Sequence, residues 1–133
     1  SMLTQEQTIA RPDAPQHYMV LRPVRRRIVV RRGDIVLADT TSAVRLLEHG
    51  RSLYDPVFYI PKQDVSEALK PVESKTTHCP LKGDASYFAL GGSPDGSDDA
   101  IAWTYSKPMD FADVLQGYVA FYADQVIVEE HGG

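Results

Sequence analysis

The feature that most constrains this chain is the shortness of its apolar runs. Each is rich in β-branched or aromatic residues and is closed within a few positions by Gly, Pro or Asp, the punctuation of strands and turns. The stretch RRRIVVRRGDIVLADTT predicts two strands, Arg25–Arg32 and Ile35–Thr40, around a Gly33-Asp34 turn. In the first, Ile28 and Val30 share a face with Arg26 and Arg32. Residues 43–50 contain adjacent Leu46 and Leu47, which fit neither period cleanly. A strand is favoured there because Gly50 and Pro56 bracket a short loop before PVFYIP. Val57–Ile60 reads as a strand closed by Pro61. Ala85–Leu90 and Ile101–Tyr105 read as a hairpin across the apolar-free loop Gly91–Asp99. Gly117–Glu130 reads as two further strands joined at Ala123-Asp124.

Helix signals are few. Asp64-Val65-Ser66-Glu67 has the capping-box pattern and predicts a short helix that Pro71 stops. Lys107–Leu115 predicts one turn. Residues 1–22, with Pro12 and Pro15, read as a flexible N-terminal tail, and residues 23–130 as a single mainly-β domain. The expected fold is a small folded-sheet or barrel-like domain with one or two short helices.

Composition narrows the function classes. A chain of 133 residues buries about two thirds of its unfolded surface and needs no metal or disulfide to fold. A single cysteine excludes an internal disulfide and a four-cysteine zinc site. No apolar run approaches the roughly 20 residues of a membrane span. The opening SMLTQEQTIARPDAPQ lacks the apolar core of a secretory signal, so a cytoplasmic location without membrane contact is expected. The net charge of −4 is uneven. Residues 1–32 carry seven arginines against Glu6 and Asp13, a balance of +5, and the remainder balances at −9. The RPVRRRIVVRR stretch suggests a nucleic-acid patch, but the acidic remainder repels phosphate. No aromatics interleave the arginines to stack bases. A strand with solvated arginines is the preferred reading.

The stretch THCPLKGDASY concentrates the chemistry. Pro80 holds Cys79 extended, so Thr77 and Cys79 point to one side and His78 to the other. A nearby Lys82 favours a Cys79 thiolate, and Asp84 orients Lys82 or His78 or caps the turn. Candidate catalytic residues are therefore Cys79, Lys82 and His78. Aromatics on neighbouring strands, with an apolar body and a polar tip, are suited to line a pocket. Candidate ligand-binding residues are Tyr59, Asp84, Tyr87, Trp103, Tyr105 and Tyr118. The bland alternatives are a buried structural cysteine and core tyrosines. No metal site is expected, because His17, His49 and His131 lie near tails or a loop and no pair has ligand spacing. No cofactor is expected either: GGSPDGSDD lacks the lysine and helix of a phosphate loop, and no Gly-x-Ser-x-Gly elbow occurs.

Four motifs in order, VFYIPKQDV, THCPLKGDASYF, AWTYSKP and GYVAFYADQV, resemble the domain of unknown function 427 family of bacteria and fungi over roughly residues 24–128. The family pattern usually has an aromatic after THCP, where this chain has Leu81. The resemblance implies a fold similar to the β-tent or Mss4-like group, two sheets folded against each other. Zinc-binding relatives in that group use paired Cys-x-x-Cys motifs, absent here. A nucleotidyltransferase-like label sometimes attaches to the family. That chemistry needs clustered carboxylates to hold metal ions, whereas Asp64 and Asp84 read as a helix cap and a turn residue.

Three readings follow. The first is a small-molecule site, open as to catalysis, around THCPLKGD. The second is a non-catalytic protein-binding or scaffold module with a structural Cys79. The third is nucleic-acid binding through residues 22–32, which the acidic body argues against. Gln125–Glu129 offers a strand that could pair in a homo-oligomer.

Overall fold

The structure, a computed structural model, describes residues 6–91 and 99–132, Ser74 by its backbone alone. The chain is mainly β, built from eleven strands in two antiparallel sheets among the described residues. In chain order they are β1 Gln7–Arg11, β2 Ala14–Pro23, β3 Arg27–Arg32, β4 Ile35–Thr40, β5 Val44–His49, β6 Val57–Pro61, β7 Leu69–Cys79, β8 Gly83–Leu90, β9 Ala102–Pro108, β10 Tyr118–Phe121 and β11 Ile127–His131. The larger sheet has the order β1-β2-β5-β6-β10-β9-β8-β7, and the smaller β11-β3-β4. Neither closes into a barrel: β1 and β7 end the first, β11 and β4 the second.

Period-2 alternation assigns the faces of the large sheet. One face carries Met19 and Leu21 of β2, Val44 and Leu46 of β5, Tyr59 of β6, Ala85 and Tyr87 of β8, Tyr105 of β9, and Tyr118 and Ala120 of β10, all in one buried cluster. The opposite face contributes Ile60, Ala102, Val119 and Phe121 to a second cluster, with Ile28, Val30, Leu37 and Ala38 of the small sheet. Neighbouring residues of β6 and β10 thus enter different cores. This is why PVFYIP and GYVAFY read as continuous apolar runs. The small sheet also explains the charge asymmetry. Arg27 pairs with Asp39 at 2.7 Å, Arg31 with Glu129 at 2.9 Å, and Arg26 and Arg45 with Glu130 at 2.7 and 2.9 Å.

Two expectations are corrected. The tail expected over residues 1–22 is, from Gln7 on, the β1–β2 hairpin, whose Ile9, Met19 and Leu21 are core residues. Its alternation is diluted by Pro12 and Pro15, and Pro12 sits in the turn between the two strands. The capping box at Asp64 does not start a helix. Asp64 ends a 3-10 turn over Lys62–Asp64 and accepts a hydrogen bond from Thr40 Oγ1 at 2.7 Å. The chain then re-enters extended geometry as β7, where Pro71 is tolerated because the strand is a sheet edge. The two strands expected over Gly117–Glu130 are present as β10 and β11, one in each sheet. The second expected helix is a 3-10 segment, Asp110–Leu115, with Ala112 and Leu115 in the first core. Most of the expected loop Gly91–Asp99 lies outside the described residues.

Candidate functional site

The TTHCPLKGDAS stretch is the β7–β8 hairpin, with Cys79 paired to Gly83 and His78 to Asp84. Gly83 holds φ at +113°, and a Cβ there would lie 2.6 Å from both Pro108 Cα and Met109 N. Glycine is therefore the residue that lets the hairpin sit on the β9 end, and the Met109 N–H donates to Lys82 O at 3.1 Å. Leu81 is fully buried in the first core, where its aliphatic side chain anchors the turn. The alternation expected before Pro80 is present. Thr77 and Cys79 lie on the inner face, where the Thr77 and Tyr87 hydroxyls bond at 2.6 Å and Cys79 packs against the core. His78 lies on the outer face, exposed, its Nδ1 2.7 Å from Asp84 Oδ1.

Sheet curvature assembles the rest. Between β5 and β8 the sheet order places four strand spacings, about 19 Å if flat, and between β2 and β7 six spacings, about 29 Å. Yet Lys82 Nζ donates to Glu48 Oε1, and His17 Nε2 lies 2.8 Å from Glu48 Oε2. A ring nitrogen of His17, a carboxylate oxygen of Glu48 and Cys79 Sγ all lie within 4.8 Å of one another. The large sheet is curled until its two ends share one polar cluster. Glu48 follows Val44 and Leu46 on the inward face of β5, and His17 precedes Met19 and Leu21 on that of β2. Sequence reasoning did not find either residue. His17 fell in the expected tail and Glu48 beside the ambiguous Leu46-Leu47 pair. The only signal was Glu48 standing at an apolar position in the i, i+2 pattern. His17, expected to lie in a tail, instead stands beside Glu48 and Cys79.

The cluster is charged and largely buried. The side chains of Lys82, Glu48 and His17 retain 13%, 11% and 17% of their exposure. Burial opposes the Lys82 ammonium, but Tyr59, Tyr105 and the Glu48 carboxylate outweigh it and hold Lys82 above its ordinary range. Burial likewise opposes the Glu48 carboxylate, and Lys82 and then His17 outweigh it, so Glu48 sits below its ordinary value of 4.5. The direction of this shift favours Lys82 as a cation over an amine nucleophile. Its Nζ lies 5.5 Å from the Tyr105 ring centroid, a cation–π contact. Burial pushes the Tyr59 and Tyr105 hydroxyls up as well, so both stay protonated donors.

Of the residues singled out by sequence, the structure brings Cys79, Lys82, Tyr59 and Tyr105 to this cluster. Tyr59 is nearly fully buried and takes a hydrogen bond from Trp103 Nε1 at 3.2 Å. Trp103 packs tilted against Tyr122 at 4.6 Å, on the same sheet face as Tyr87 and Ala120, and its edge also lines a cavity of about 400 Å³ between the two sheets. Tyr87 and Tyr118 are inner-face core residues, and His78 and Asp84 turn outward, away from Cys79. Asp64 and Asp84 are engaged separately, by Thr40 and His78, and form no joint carboxylate site. The largest described cavity, about 540 Å³ among Lys62, Ser66, Lys70 and Phe88, includes none of the expected site residues.

No helix among the described residues is long and apolar enough to cross a membrane. No curated protein matches the sequence. The profile of the domain of unknown function 427 family matches residues 20–132, most of the chain and every motif that carried the resemblance. The chain belongs to the domain of unknown function 427 family.

Proposed function

We propose that the polar end of the curled sheet is a small-molecule site, with the Cys79 thiol as the group a ligand meets. The observation that carries this is the convergence of His17, Glu48, Cys79 and Lys82 from separate strands and a turn onto one spot among tyrosine hydroxyls. Burying a charged pair beside an imidazole costs desolvation free energy that an apolar core avoids, and such expense is concentrated at functional sites. Glu48 orients the His17 ring, and a His17 ring nitrogen lies within 4.8 Å of Cys79 Sγ, a gap that one bridging water or a small side-chain shift would close into the base-and-thiol arrangement of nucleophilic cysteines. Lys82 supplies positive charge for an anionic group. His78 and Asp84 drop out of the proposed machinery because they face outward.

The scaffold alternative has its own support. Buried Leu81 and the tight approach of Gly83 to Lys107–Met109 make the hairpin a structural turn whatever Cys79 does.

The test is alkylation of metal-free protein with small chloroacetamides. The chain has one cysteine, so every adduct reports this site. Rates that saturate with reagent concentration, and fall in His17→Ala, are expected of a binding site. Rates linear in reagent and slower than in denaturant would leave Cys79 structural and favour the scaffold reading.

A further inference from the structure

We infer that the same cluster is a metal site, in which His17, Glu48 and Cys79 hold one divalent ion of the zinc class. This rests on the reading of the cluster as functional and names what a ligand would meet there.

Three observations carry it. His17, Glu48 and Cys79 form the one group of three potential ligands so close together among the described residues. The donor set is one imidazole nitrogen, one carboxylate oxygen and one thiolate sulfur, the mixed borderline-soft set that suits zinc over magnesium or calcium. Three protein ligands leave a fourth position open, as in catalytic rather than structural zinc sites. Bond lengths of about 2.0–2.3 Å put tetrahedral ligand atoms about 3.5 Å apart. Atoms now within 4.8 Å reach that spacing by side-chain adjustment of about 1 Å.

The surroundings fit as well. Ligating carboxylates are ordinarily held by an outer hydrogen bond, and Lys82 supplies it to Glu48 Oε1, leaving Oε2 toward His17. On binding, the Cys79 S–H bond breaks, its proton leaves to solvent, and the sulfur lone pair forms the metal bond. The two anionic ligands then balance the divalent charge, and Lys82 remains as a cation beside the open position.

The experiment is titration of chelator-stripped protein with Co²⁺, followed by Zn²⁺ competition against a chromophoric chelator. One equivalent of Co²⁺ is expected to give a thiolate-to-metal charge-transfer band and tetrahedral d–d absorption, both displaced by Zn²⁺. Cys79→Ser should abolish the charge-transfer band. His17→Ala should weaken Zn²⁺ binding by more than the roughly 10–100-fold that loss of an outer partner costs. His78→Ala, on the outer face, should change neither. Circular dichroism of the metal-free variants confirms that they are folded. No thiolate band in the parent protein, or Zn²⁺ affinity unchanged in folded His17→Ala, overturns the metal site. Saturable alkylation of the metal-free protein together with that failure leaves the small-molecule reading standing. Site-dependent Zn²⁺ binding with linear alkylation does the reverse.

Discussion

Lys82 and Glu48 form the least exposed ion pair among the described residues. Each retains about a tenth of its side-chain exposure, so neither charge finds enough water if the other is removed. Glu48→Gln should cost about 3–5 kcal/mol, the price of leaving one member of a buried pair alone. The double variant Glu48→Gln, Lys82→Met should recover most of that loss, and urea midpoints of the three proteins check both statements. The pH dependence has a definite sign. Because Glu48 lies below its ordinary 4.5 in the folded state, its stabilisation is complete above pH 4.5 and fades as pH falls through the lower folded value. Acid titration of stability should therefore be shallower in the double variant than in the parent over that window. Which of these residues could be read beforehand follows from geometry. The opposed directions of His78 and Cys79 were legible because strand alternation and Pro80 are local. The partnership of Cys79 with His17 and Glu48 was not, because nothing local records how far a sheet curls.

Turns divide into those that need glycine for φ alone and those that need it for space. Gly33 has φ +57° and open surroundings, so Gly33→Ala should cost about 1–2 kcal/mol, the left-handed penalty by itself. Gly83→Ala meets the Lys107–Met109 backbone as well, so its loss should clearly exceed that of Gly33→Ala when both are unfolded in urea. The Gly33-Asp34 turn, β3, β4, β6, β8 and β9 were all legible as apolar or alternating runs between breakers. The misreading at Asp64 is instructive in physical terms. Its side chain is taken by Thr40 Oγ1, and Val65 forms a bridge to Ala38. Tertiary pairing outbid a local capping pattern whose helix Pro71 would have kept too short to stand alone. The β1–β2 hairpin was missed for the opposite reason: two prolines imitate a tail while the inward positions Ile9, Met19 and Leu21 are filled.

At the scale of the molecule, the large sheet serves two cores, and β2, β5, β7 and the β7–β8 turn carry the polar cluster. The β1 strand begins outside the matched family segment of residues 20–132, yet it covers the β2 edge and buries Ile9. Deleting residues 1–12 should therefore lower stability by at least the roughly 1.5–3 kcal/mol of one buried aliphatic side chain, read as a lower thermal midpoint. The paired arginines of β3 predict that any binding to duplex DNA is weak and shows no steep salt slope, checked by titration at two ionic strengths.

The curl has a consequence in time. The Lys82–Glu48 bond joins positions 34 residues apart, and His17–Glu48 positions 31 apart. The second needs only the β2–β5 pairing, whereas the first needs the β7–β8 turn brought across the curl. Such non-local closures dominate the search that slows β-rich folding. We expect the complete cluster to form after the local β3–β4 and β7–β8 hairpins. The lone thiol becomes a clock: protection of Cys79 against a pulse of alkylating reagent should rise later in refolding than amide protection of the β3–β4 hairpin.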